Sequence, residues 1–320
     1  MDWLIHNTVG DLAGPPFLAF YIAVIVLTCI ACRRAIRSRD ATGFREPPPI
    51  PGRPDPYEMA YLRGGENEVI RTGYFALLRR GYVQVVKAKK RFQKVTESRI
   101  CRVDSPPPEG ELSALELRLY RESATPRAAA EMFKSGGLAS KIADACSIYR
   151  KRLEAEELLS PPEVKSARWP TWLVGTAVLL ALGGYKLAVA HAKGRTNVEF
   201  LVILMCVGPI LLGLVVAVAS ARRLSDRGRA YLKGIKIAYQ GIKKPAPRAN
   251  VAATDDTAAM LMVGVFGLAT LKGTAHSGYS DMFAQAATAS GSSGGCGGAG
   301  CGGGGCGGGG CGGGCGGCGG

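Results

Sequence analysis

Leu12 to Cys32 reads LAGPPFLAFYIAVIVLTCIAC, 21 residues without a charge, closed by Asp11 on one side and Arg33-Arg34 on the other. A helix of that length rises roughly 30 Å, the hydrocarbon thickness of a bilayer. Met1–Asp11 carries no Lys or Arg. The basic n-region of a cleaved signal peptide is therefore missing, and residues 12–32 are expected to remain as a span. Two further blocks repeat the pattern. Trp169–Ala192 opens with Trp169 and Trp172 at interface depth. Its single interruption, Lys186, lies near the far end, where a long side chain can snorkel to the headgroups. Phe200–Ala221 is apolar for 22 residues and contains Pro209, an expected kink. Only Lys193–Glu199 separates the two blocks, which predicts a tight helical hairpin.

The composition of the whole chain agrees. Its 320 residues carry 40 Lys+Arg against 25 Asp+Glu, a net charge of +15, yet mean hydropathy is +0.10. Apolar residues must therefore be concentrated in blocks with basic flanks, which excludes a soluble globule of even composition. Thirteen Lys and Arg flank the spans on one side (residues 33–47, 154–168 and 222–236) and two, Lys193 and Arg195, on the other. The positive-inside rule then puts the N-terminus outside and residues 33–168 in the cytoplasm, together with everything after Ala221. The expected location is the plasma (inner) membrane, as a multi-pass protein. Thr257–Leu271 is apolar for 15 residues, short of the ~17–25 that a crossing needs. Residues 257–273 are read as a short helix in or under the interface, with a fourth span left open; a fourth crossing would put the tail outside.

Between the first and second spans, residues 33–56 form a basic and then Pro-rich linker. Residues 57–160 form a small helical domain. Asp55 is placed to cap a helix, with Pro56 at its first position and Glu58 at capping-box spacing, and Gly64-Gly65 to stop it. Asn67–Arg80 predicts a second helix with Val69, Ile70, Tyr74, Leu77 and Leu78 on one face. Tyr82–Lys87 and about Phe92–Thr96 are β-prone, and further helices are expected over Glu111–Tyr120, after Thr125-Pro126, and over Leu138–Leu159. This order resembles a winged helix, whose basic ribbon (Lys87, Lys89, Lys90, Arg91, Lys94) would face phosphate. A tether under an anionic leaflet explains the same charges without nucleic acid, which is not an expected partner. Residues 222–250 open with Arg222–Lys244, eight Lys and Arg against one acid with interleaved apolar residues. They predict a juxtamembrane helix on anionic lipid.

No enzyme signature is present. His6, His191 and His276 lack ligand spacing, and no phosphate-loop or zinc-protease motif occurs. Cys29 and Cys32 form a C-x-x-C inside a span, where a thiol behaves as a small apolar group, although Cys32 beside Arg33 is a candidate for acylation. Cys101, Cys146 and Cys206 read as structural. No catalytic or cofactor-binding residue is assigned. The tail, residues 290–320, differs in kind. Of 45 glycines, 21 fall in the last thirty positions, and Cys296, Cys301, Cys306, Cys311, Cys315 and Cys318 recur among them. Such a composition predicts disorder. The six thiols can bind Zn or Cu(I), be oxidised, or be fed to a peptide-modifying enzyme; an inert repeat is the alternative.

Tyr61-Leu62-Arg63-Gly64-Gly65, preceded by Asp55-Pro56-Tyr57-Glu58 and followed at the terminus by repeated Gly-Gly-Cys-Gly-Gly, resembles an uncharacterised bacterial membrane-protein family. That family joins an N-terminal span and a Y-L-x-G-G motif domain to a Cys/Gly-rich low-complexity C-terminal tail. The resemblance implies a modified tail with the preceding domain as its recognition region. The expected protein is mainly α: three spans, a small winged-helix-like α(+β) cytoplasmic domain and a disordered Gly/Cys tail. Its expected partners are membrane lipids of the anionic leaflet and a peptide-modifying enzyme, and it is not itself an enzyme. The alternative is a membrane-anchored regulator whose winged-helix-like domain binds DNA or a partner protein.

Overall fold

The structure, a computed structural model, describes residues 14–89, 96–104, 106–108, 110–133, 137–192, 199–243 and 256–289. The chain enters as helix α1 (Gly14–Arg37) and passes a 3-10 turn at Ala41–Phe44. It continues through α2 (Pro56–Gly64), α3 (Glu66–Arg79), strands β1 (Val83–Lys89) and β2 (Thr96–Arg102), α4 (Ala114–Glu122) and β3 (Arg127–Ala128). Four short helices follow: α5 (Ala129–Met132), α6 (Leu138–Ile142), α7 (Ser147–Ala155) and α8 (Pro162–Ser166). Then come the long α9 (Arg168–Ala192) and α10 (Glu199–Ser220). The described chain ends with α11 (Asp226–Ala238), α12 (Gln240–Lys243), α13 (Asp256–Phe266) and α14 (Ser277–Ala289).

Three helices, α1, α9 and α10, are long and apolar enough to cross a membrane, and they pack against one another. Phe17, Tyr21, Ile25, Leu179, Leu212 and Val216 fill the seam. Large apolar side chains also point outward, Leu27 at 65% exposure and Ile210 at 70%; lipid is the solvent that tolerates them. Glycine sets the helix separation. A Cβ on Gly175 would lie 2.6 Å from Leu212 Cδ2, and one on Gly183 2.6 Å from Met205 Cγ, the close approach typical of membrane helices. Tyr21 Oη donates to the Leu179 carbonyl at 3.0 Å, and Trp172 Nε1 to that of Pro209 at 3.1 Å. Lys186 turns inward instead of snorkelling out. It is 6% exposed, with Nζ 4.7 Å from the centroid of the Phe17 ring, whose face attracts a desolvated cation.

The second core belongs to a helical body. Asp55 Oδ1 accepts from the Tyr57 amide at 2.8 Å and Pro56 opens α2, as the capping pattern predicts. Helix α3 is buried on several sides, with Thr72, Gly73, Phe75 and Ala76 inside as well as the expected Val69, Ile70, Tyr74 and Leu77. Strands β1 and β2 pair antiparallel from Val83↔Arg102 to Lys89↔Thr96, and β3 adds a third strand through Arg99↔Ala128 and Ile100↔Arg127. The second strand thus starts where the expected one ends. Glu97, Arg99 and Arg102 mask its period, and Ile100 is its buried apolar anchor. The single helix expected over Leu138–Leu159 is two, α6 and α7, broken by turns around Ala143–Cys146. Leu138, Ile142 and Leu153 nevertheless all reach the core.

The body core extends well beyond residue 160. Helix α13, the centre of the short apolar segment, packs against α2 and α3, burying Met260, Leu261, Val263 and Val265. Each such side chain contributes roughly 1.5–3 kcal/mol. Helix α14 adds Tyr279, Met282 and Phe283. Tyr279 Oη donates to the Arg71 carbonyl at 2.7 Å, and the Arg71 guanidinium lies 4.8 Å from the Phe133 ring centroid. Helix α11, from the basic juxtamembrane stretch, buries Tyr231 and Ile235 in the same core. Its exposed face keeps Arg229 and Lys233.

Candidate functional site

The Tyr61–Gly65 motif forms the corner between α2 and α3. Gly65 takes φ 77° and ψ −155°, a conformation that residues with a Cβ adopt only under strain. A Cβ there would also fall 1.9 Å from Arg223 Nη1. Arg223, just past the third span, lies 4.3 Å from the Tyr61 ring centroid. Arg150 of α7 donates to Tyr61 Oη at 3.1 Å and to Glu66 Oε1 at 2.9 Å. Burial works against the Glu66 charge, but its own backbone amide, Arg150 and Arg223 outweigh burial and hold the carboxyl below its usual range. Arg63 donates to the Val263 carbonyl at 3.1 Å and pairs with Glu68, which also pairs with Arg71. The motif therefore joins span, body and α13 at one corner.

A second junction laces the membrane-proximal ends together. Asp40 Oδ2 accepts from the Asp226 amide at 2.8 Å, and Asp40 Oδ1 from Thr42 Oγ1 at 2.6 Å. Ser225 Oγ donates to the Glu157 carbonyl at 2.6 Å and accepts from the Gly228 amide at 2.9 Å. Arg227 donates to the carbonyls of Glu46 and Glu156 at 2.8 and 2.9 Å. Leu159 and Leu224 form an isolated β-bridge, and the Ser160 amide donates to the Arg223 carbonyl at 2.7 Å. A recess of about 10 Å³ remains between Ile36, Arg37, Asp40, Val164, Arg222 and Asp226. It holds no more than a water. A larger cleft of about 240 Å³ opens between α9 and α10 beside Trp172, Pro209, Ile210 and Gly213.

The residues singled out in the sequence are scattered by the fold. Cys32 is buried in the bundle, Cys29 is half-buried, and Cys206 is exposed on α10. Cys101 lies on β2, its Sγ 3.8 Å from the Gln84 carbonyl. Cys146 is in the body core, where burial, then Glu66, pushes its thiol up to about 12. His276 meets the Phe75 ring edge-on, and burial followed by Arg79 lowers its pKa. Among the described residues, no group of three or more His, Cys, Asp or Glu could hold a metal ion. Lys87 and Lys89 belong to β1. Lys90, Arg91, Lys94, His6 and all six tail cysteines lie outside the described residues. Sequence reasoning missed Arg223 and the Asp40–Asp226 contact, for which the linear pattern offers no signal beyond the glycine pair.

Comparison with protein-family models, curated proteins and solved structures finds no match to this chain.

Proposed function

We propose that this is a non-enzymatic, three-span membrane protein that holds a helical body at the inner face of the plasma membrane and presents its Cys/Gly tail there. The tail serves as a substrate for a peptide-modifying enzyme or as a ligand for soft metal, Zn²⁺ or Cu(I). The observation that carries this reading is the burial of α13 against α2 and α3. The chain approaching the tail is thereby rooted in the same body that carries the Tyr61–Gly65 corner. A modifying enzyme that docked on the body would find Cys296, Cys301, Cys306, Cys311, Cys315 and Cys318 tethered within reach, at a high effective concentration. The basic ends of the spans support a position of the body at the anionic leaflet.

Intact-mass analysis of the protein from its native host tests modification. A mass shift confined to tail peptides is expected, and an unmodified mass under all growth conditions removes that reading. Titration of the full chain with Zn²⁺ or Cu(I), against a variant with all six tail cysteines changed to Ser, tests the metal reading. Saturable binding lost in the variant supports it, and equal binding by both removes it.

A second reading draws on the α2–α3 corner followed by the β1–β2 antiparallel ribbon. In it, the body is a winged-helix-like, membrane-anchored regulator whose ribbon residues Lys87, Lys89, Lys90, Arg91 and Lys94 touch DNA phosphate or a partner protein. Binding of DNA by the solubilised chain, falling steeply with salt, supports its DNA form. Salt-insensitive or absent binding removes that form.

A further inference from the structure

The ends of the first and third spans gather more positive charge than the fold neutralises. Arg37 and Arg222, from different spans, line one recess with Asp40 and Asp226. Of these two acids Asp226 is already paired, and Asp40 keeps its charge towards the arginines. Asp40 accepts from Thr42 and from the Asp226 amide, and Asp226 pairs with Arg229. Arg33, Arg34, Arg37 and Arg222 make no ion pair among the described residues. Burial, then Arg229 and Arg33, hold Arg222 below the ordinary guanidinium value, with Asp40 acting in the opposite sense. Four arginines, three of them exposed, thus face one unpaired acid, and like charges in such excess repel one another unless a further anion joins them. Beside them the 3-10 turn Ala41–Phe44, packed on α11, carries Phe44 at 99% exposure. A bare Phe a few residues past the first span suits the acyl boundary.

We infer that the body-facing mouth of the helix bundle is a binding site for the phosphodiester headgroup of an anionic phospholipid. Arg37 and Arg222 hold the phosphate at the mouth of the recess, whose interior takes no more than a water, Arg33 and Arg34 supply the surrounding field, and Phe44 enters the acyl boundary. The occupant is a lipid and not free phosphate, because Arg37 and Arg222 stand at the ends of helices apolar enough to cross the bilayer. A guanidinium offers a forked set of donors that matches phosphate oxygens, which a general attraction to the leaflet does not require. This inference rests on the reading that α1, α9 and α10 span the membrane.

The full-length protein, reconstituted in nanodiscs of phosphatidylcholine mixed with phosphatidylglycerol, is released and weighed by native mass spectrometry to count retained lipids. The wild type is expected to retain phosphatidylglycerol in preference to phosphatidylcholine. Arg37→Gln with Arg222→Gln should lower that retention about twenty-five-fold, each guanidinium near an anionic surface contributing roughly fivefold. Excess inorganic phosphate should displace none of it. Equal retention of the two lipids by the wild type would overturn the inference, whatever the variants do. So would retention unchanged in the double Gln variant, or displacement by inorganic phosphate. Arg37→Lys with Arg222→Lys keeps the charge but loses the fork, so its retention should fall between those of the wild type and the Gln variant. Alkaline carbonate extraction tests the underlying reading separately, because release of the protein from membranes would remove the spans and not merely the headgroup site.

Discussion

The guanidinium of Arg223 lies 4.3 Å from the centroid of the Tyr61 ring and fills the space that a side chain on Gly65 would need. One residue just beyond the third span thus locks the corner between the first two helices of the body. Arg150 and Glu66 complete the contact from α7 and α3. Tyr61 and Gly65 of the motif hold this corner together directly, and Arg63 extends it to α13.

Gly65→Ala should therefore destabilise the protein by about 1–3 kcal/mol from backbone strain alone, with displacement of Arg223 adding to it. Gly81 gives the comparison. Its φ is 78°, but a Cβ there meets nothing within 4 Å. Gly81→Ala should cost only the strain. Thermal unfolding of the two variants in the same detergent checks this, and the Gly65 variant should melt lower.

The helix bundle makes a parallel prediction. At Gly175 an added Cβ meets Leu212 and Cys32, whereas at Gly184 it meets nothing within 4 Å. Gly175→Leu should destabilise the bundle by at least the ~1–3 kcal/mol of an overpacked core. Gly184→Leu should leave stability nearly unchanged. Equal melting temperatures for the two would mean that α1, α9 and α10 do not pack as described.

Cys146 predicts a pH dependence. Its thiol rises from an ordinary 9.0 to about 12 on folding, chiefly through burial and then through Glu66. Above about 9 the unfolded thiol gives up its proton while the folded one keeps it. The folded state then binds more protons, so stability falls as pH rises from about 9 to about 12. Cys146→Ala should flatten, though not abolish, that decline, because Tyr57 and Tyr74 are also raised by burial. Melting curves across the alkaline range measure it. At neutral pH, native Cys146 should also resist thiol reagents.

Much of this architecture is legible from local pattern. Apolar runs of span length, broken by a charge only at Lys186, are self-evident, and Asp55-Pro56 marks a helix start because capping is a contact between near neighbours. The parts that escaped depend on distant neighbours. Thr257–Leu271 is too short to cross a bilayer, and its pattern does not say whether a lipid surface or a protein core covers it; only α2 and α3 decide that. Strand β2 hides behind alternating charges, and its register is set by β1 and β3. Helices α6 and α7 keep one apolar face across a break, so periodicity alone reads them as continuous. Arg223 looks like any basic residue after a span, and Tyr61 shows its role only once the chain has folded back more than a hundred residues. The tail thiols lie outside the described residues.

The central claim is that α13 and α14 share a core with α2 and α3, which puts the root of the tail and the Tyr61–Gly65 corner on one side of the membrane. Single cysteines introduced as Lys151→Cys on α7 and Asp281→Cys on α14, both exposed positions, test it in a chain otherwise free of thiols. Sealed vesicles of known orientation would be treated with a membrane-impermeant thiol reagent. Both positions are expected to label from the same face and to stay unlabelled from the other. Labelling from opposite faces would mean that the segment over 257–271 crosses the bilayer, and the shared core would be wrong.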